Sequence, residues 1–127
     1  MGVLVDTSVW IDYFRSGDKS EKLDFLIDEN LVVINDLILT ELLPLLVVKQ
    51  EKKVINLLKM VKKYLLHPDW EEIRNYQVSC LKSGSNGIGI ADLLIAQNSI
   101  QNNVPVYSID KHFKFMNDAH IGVKLYT

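Results

Sequence analysis

Apolar and polar positions follow one another along this chain in short blocks. Val3, Leu4 and Val5 form an apolar run that ends on Asp6, and apolar positions return at helical spacing with Val9, Trp10, Tyr13 and Phe14. This pattern predicts a strand followed at once by a helix reaching about residue 15. "RSGDKSE" reads as a turn, with Ser20 capping a second helix over roughly 20–29 whose stripe is Leu23, Leu26 and Ile27. "LVVI" at 31–34 is apolar throughout, as strands covered on both faces tend to be, and Asn35 and Asp36 cap a third helix. That helix, "LILTELLPLLVV", is apolar nearly all round, more than one sheet face requires, and predicts a second buried surface between subunits. Pro44 should kink it or distort a turn. A fourth helix spans about 51–62, with Val54, Leu57, Leu58 and Val61 inward and Lys52, Lys53, Lys59 and Lys62 outward. "YLLH" at 64–67 reads as a short strand, and Pro68 and Asp69 open a fifth helix that reaches about residue 82. The glycine-rich "SGSNGIGI" joins it to a sixth helix with Asp92 in its first turn, "VPVYSI" is a strand ending on Asp110, and "VKLY" closes the chain as an edge strand.

Strands alternating with helices predict an α/β/α sandwich around a mostly parallel sheet of about five strands, in one domain over residues 1–127. A formal charge of −2 excludes a basic nucleic-acid coat without excluding a site that handles nucleic acid. Cys80 has no second cysteine to pair with, which points to a reducing, cytoplasmic setting and to an inert thiol. The longest apolar run contains Asn35, Asp36, Glu41 and Pro44, so no membrane span is expected.

Among the acidic residues, Asp24, Asp28, Glu29, Glu51, Glu71 and Glu72 fall on polar helix faces, and Asp18, Asp36 and Asp69 fall at turns or caps. Four others stand in unusual surroundings. Asp6 and Asp110 each follow a buried strand, which in a parallel sheet places both at its carboxyl edge. Asp92 opens a strongly apolar helix, and Glu41 lies among Leu39, Thr40, Leu42 and Leu43, where an ionised carboxylate is costly to desolvate. Converging carboxylates raise one another's pKa, and a divalent cation relieves that cost. Oxygen ligands select hard ions such as Mg²⁺ or Mn²⁺. His67, His112 and His120 show no zinc-like spacing.

The order "VLVDTSVWIDYF", "NDLILTELL", "GIGIADLLIAQN" and "VYSIDKHF" resembles the PIN-domain ribonucleases, specifically the VapC toxins of toxin–antitoxin pairs, over essentially the whole chain. The resemblance implies a PIN-like fold and Mg²⁺- or Mn²⁺-dependent hydrolysis of RNA. It places the family's four acids on Asp6, Glu41, Asp92 and Asp110, with Asp6, Asp92 and Asp110 holding metal and Glu41 binding through water or orienting the nucleophile. The family's hydroxyls fall on Thr7 or Ser8 and on Ser108, with Thr7 and Ser108 fixing the carboxylates. Arg15, Lys82 and Lys111 are candidate phosphate contacts. A homodimer and a cognate antitoxin are implied, the latter docking on outer apolar residues that include Trp10, Tyr13 and Phe14. Two alternatives are a catalytically silent PIN scaffold and a receiver-like signalling domain.

Overall fold

The computed structural model describes residues 1–16, 21–85 and 87–127, and the expected cap at Ser20 lies outside them. β1 (Val3–Val5) and β2 (Val32–Asn35) are buried at every position, which requires cover on both faces of the sheet. The other two strands are β3 (Lys62–Tyr64) and β4 (Val106–Tyr107). All pairings are parallel, in the order β3-β2-β1-β4. A receiver-like domain is thereby excluded, because that doubly wound order sets β1 between β2 and β3.

Seven helices accompany the strands among the described residues: α1 (Thr7–Ser16), α2 (Glu21–Asp28), α3 (Asp36–Val48), α4 (Lys52–Met60), α5 (Trp70–Lys82), α6 (Ile90–Gln101) and α7 (His112–Asp118). The core joins the sheet residues to Leu23, Leu26, Ile38, Leu42, Leu46, Ile73, Leu93, Ile95 and Phe113. Cys80 is buried within it, and burial pushes its thiol pKa up, in keeping with an inert residue. Asn35 caps α3 by accepting the Ile38 N–H at 2.9 Å. Its amide also donates to Asn98 at 2.9 Å, and Asn98 donates to the Leu65 carbonyl at 3.1 Å. This buried amide chain ties α3 to α6, the two helices that carry Glu41 and Asp92.

Several expectations need correction. Among the described residues the sheet has four strands, not five: "VKLY" contributes a single bridge, Leu125 to Val106, because the chain meets β4 at only one residue. The third strand lies at 62–64 instead of 64–67, and its lysines are exposed, as suits a sheet edge. α4 accordingly stops at Met60. Asp36 is the first residue of α3 rather than its cap, and pairs with Lys63 at 3.1 Å. Trp10 is fully buried and serves the core, while Tyr13 and Phe14 are half-buried and meet edge to face.

Candidate active site

In a parallel sheet every strand ends at one edge, and the helices that return antiparallel to the strands begin there. β1 runs into Asp6, β4 into Ser108 and Asp110, β2 into α3, and α6 starts with Asp92 in its first turn. The four acids expected from the sequence are thus delivered to one edge by four separate elements.

Asp6 is buried, and one of its oxygens, Oδ2, is heavily engaged. The Ser8 hydroxyl donates to it at 2.8 Å, the Ser108 hydroxyl at 3.0 Å and the Ser8 N–H at 3.4 Å. Each serine oxygen in turn accepts a backbone N–H, from Ile109 at 3.3 Å and from Asp110 at 3.0 Å. Those N–H groups occupy the hydroxyls as acceptors and leave their protons for the carboxylate. The Ser8 N–H contact is also a long helix cap at the start of α1, so Asp6 has a local structural duty as well.

Thr7 points elsewhere: its hydroxyl donates to Glu41 Oε1 at 3.1 Å. Glu41 lies on an exposed part of α3 instead of being embedded among leucines. Partial burial of its carboxyl still pushes the pKa above 4.5; the Thr7 hydrogen bond lowers it, and Asp6 and Asp92 raise it. Both acids therefore stand close enough to act on Glu41 through charge. The assignment of hydroxyls is Thr7 to Glu41, and Ser8 with Ser108 to Asp6.

Asp92 is raised above 3.8, first by burial; His112 pulls it down by hydrogen bond and charge, while Asp6 and Asp110 push it up. His112 Nδ1 lies 2.7 Å from Asp92 Oδ2 and 3.3 Å from Asp110 Oδ1, and the His112 N–H donates to Asp110 Oδ1 at 2.9 Å. Asp92, Asp110 and His112 form a group whose ligand atoms all lie within 4.8 Å of one another. Sequence reasoning passed over His112 because it sought zinc-like spacing. The signal was its position two residues after Asp110 in "DKHF", which returns the ring toward the same edge.

Two carboxylates and an imidazole, partly open to solvent and bordered by further acids, suit a divalent cation. Burial, more than the neighbouring acids, holds Asp92 and Glu41 above their ordinary values, and such an ion would favour their charged forms against both. Asp6 stands outside the tightest trio and reaches it through charge. Arg15, Lys82 and Lys111 are exposed, and Lys111 directly follows Asp110. Arg15 borders a small cleft of about 150 Å³ with Phe14 and Leu45. A cleft of about 490 Å³ at the opposite edge of the sheet is lined by Gly2, Asn30 and Asn103.

The acids gathered at the carboxyl edge of this parallel α/β domain include a group, Asp92, Asp110 and His112, that could hold a metal ion. A model of the PIN domain matches residues 3–118, and the chain belongs to that family, whose members are in general nucleases. Its fold is similar to the crystal structure of FitAcB from Neisseria gonorrhoeae, with a TM-score of 0.69 at 22% identity over 98% of this chain and 96% of that one. No curated protein matches the chain at a significant level. No helix among the described residues is long and apolar enough to cross a membrane.

Proposed function

We propose that residues 1–127 form one nuclease unit: a metal-dependent endoribonuclease of the VapC type, acting as a toxin in the cytoplasm and restrained by a protein antitoxin. The observation that carries this reading is the convergence of Asp6, Glu41, Asp92 and Asp110 in a PIN-family chain, Asp6 held by Ser8 and Ser108, Glu41 by Thr7, and Asp92 and Asp110 both by His112. A silent scaffold has no need for carboxylates packed closely enough to disturb one another.

Asp92 and Asp110 would hold Mg²⁺ or Mn²⁺ with Asp6 beside them. Bound there, a divalent ion supplies charge to phosphate oxygens and lowers the pKa of water. Glu41, directed by Thr7, is placed to orient a water molecule and take its proton. Ser8 and Ser108 keep Asp6 from turning away and tie the end of β1 to the loop after β4. Lys111 and Arg15 would steer the RNA backbone, which supplies affinity without reading sequence.

The surplus apolar surface of α3 supports a homodimer. Val47 and Val48 are exposed, and a groove of about 520 Å³ between α3 and α4 is lined by Leu39, Leu43, Val47, Ile55, Leu58 and Val61. The antitoxin would lie near Tyr13 and Phe14, with Trp10 now assigned to the core. Inducing the protein in a bacterial host and mapping new 5′ ends in total RNA tests the reading. Growth arrest with discrete cleavage sites, both abolished by Asp92→Asn, is expected. Arrest that persists in Asp92→Asn without cleavage sites would overturn the enzymatic reading.

A further inference from the structure

We infer that His112 is a metal ligand, which makes this site a mixed nitrogen–oxygen centre that favours Mn²⁺ over Mg²⁺. The inference rests on the metal-dependent reading above and adds the chemical identity of one ligand. Nδ1 stands 2.7 Å from Asp92 Oδ2 and 3.3 Å from Asp110 Oδ1. Neighbouring ligand atoms in an octahedron with bonds of about 2.1 Å stand about 3.0 Å apart. The two separations from Nδ1 bracket that value, and the ligand atoms of all three side chains lie within 4.8 Å of one another, a spacing that one ion can span.

The backbone adds to this placement. The His112 N–H donates to Asp110 Oδ1 at 2.9 Å, which fixes that carboxylate beside the ring. His112 is the first residue of α7, and the next residue, Phe113, is buried in the core, which anchors the helix that presents the imidazole. Nδ1 and Asp92 Oδ2 stand within hydrogen-bond distance of each other at 2.7 Å. Imidazole adds more to the affinity for Mn²⁺, Co²⁺ or Ni²⁺ than for Mg²⁺, whereas a site of carboxylates alone holds Mg²⁺ on better terms. The rival role for His112 is a purely structural hydrogen bond between the two acids.

His112→Asn separates the two roles, because the Asn amide can donate where Nδ1 does yet offers no imidazole. The full chain, loaded with Mn²⁺ as probe, is examined by pulsed electron paramagnetic resonance for ¹⁴N coupling, and Mn²⁺ and Mg²⁺ affinities are measured by calorimetry. Wild type should show a directly bound imidazole nitrogen. His112→Asn should lose it and bind Mn²⁺ about tenfold more weakly, with Mg²⁺ changed less than about threefold. Asp92→Asn serves as the control for location. If Mn²⁺ binding depends on Asp92 but the wild-type spectrum lacks a bound nitrogen, or both ions weaken alike in His112→Asn, the assignment of His112 is wrong and the metal reading stands. If wild type binds neither ion, or Asp92→Asn binds as wild type does, both readings fall. The wild-type spectrum decides the point even if His112→Asn fails to fold.

Discussion

Asp6→Asn separates the two duties that the structure gives Asp6. The asparagine carbonyl can still accept the Ser8 and Ser108 hydroxyls that meet Oδ2 at 2.8 and 3.0 Å, so the ties between β1 and the loop after β4 survive. Those bonds weaken on losing the negative charge, a cost of about 1 kcal/mol. The same loss relieves the repulsion that Asp6 exerts on Asp92 and Glu41, which offsets part of that cost. Metal-free stability should therefore change by less than about 1 kcal/mol, or about 4 °C in a domain of this length. Mn²⁺ at a hundred times its Kd should stabilise wild type by about 2.7 kcal/mol, roughly 10 °C. If the variant binds about tenfold more weakly, the same concentration gives about 1.4 kcal/mol, roughly 6 °C. Circular dichroism melts at pH 7 with and without Mn²⁺, run beside an RNA-cleavage assay, supply the numbers. A variant that cleaves at the wild-type rate yet melts 8 °C or more lower would refute the reasoning and leave Asp6 a helix cap.

Thr7→Val should cost less than about 1 kcal/mol of stability, since Glu41 stays open to water, yet slow cleavage by releasing that carboxylate; unchanged rates would remove Thr7 from the site. Asp92 and Glu41 bind protons more tightly folded than unfolded, so their contribution to metal-free stability is complete below pH 3.8 and falls as pH rises through their raised values. A divalent ion takes over the proton's part, so the Mn²⁺-induced rise in melting temperature should grow between pH 4 and pH 7; a rise greatest at pH 4 would contradict the assignment. Trp10→Ala should cost about 3–5 kcal/mol because the ring is fully buried; a denaturant midpoint unchanged from wild type would show that Trp10 lies outside the core.

The elements that carry the acids were the legible ones. β1 announces itself because a run buried on both faces stops on a carboxylate, and the same logic found Asp110. Lys62 and Lys63 hid β3, since an edge strand is held by backbone pairing to β2 and needs no apolar side chain. "VKLY" has a strand's alternation but touches β4 at one residue only, a tertiary fact that no local pattern carries. Trp10 was misjudged because a short helix pressed into a core buries more than one stripe. His112 stayed hidden for a related reason: its nearer partner, Asp92, is 20 residues away and meets it only once α6 and α7 share an edge. The amide chain from Asn35 to Asn98 was equally silent, because asparagine reads as a surface residue until burial shows otherwise.

The claim at the centre of this account is that the carboxylates at the sheet edge hydrolyse RNA with a divalent cation. It is tested most directly by incubating purified protein with end-labelled single-stranded RNA in EDTA, then with Mn²⁺ added back, and reading the product ends. Cleavage that is absent in EDTA, restored by Mn²⁺, lost in Asp92→Asn and free of 2′,3′-cyclic phosphate is the predicted result. Cleavage that continues in EDTA, or that leaves 2′,3′-cyclic phosphate ends in the wild type and Asp92→Asn alike, would contradict it.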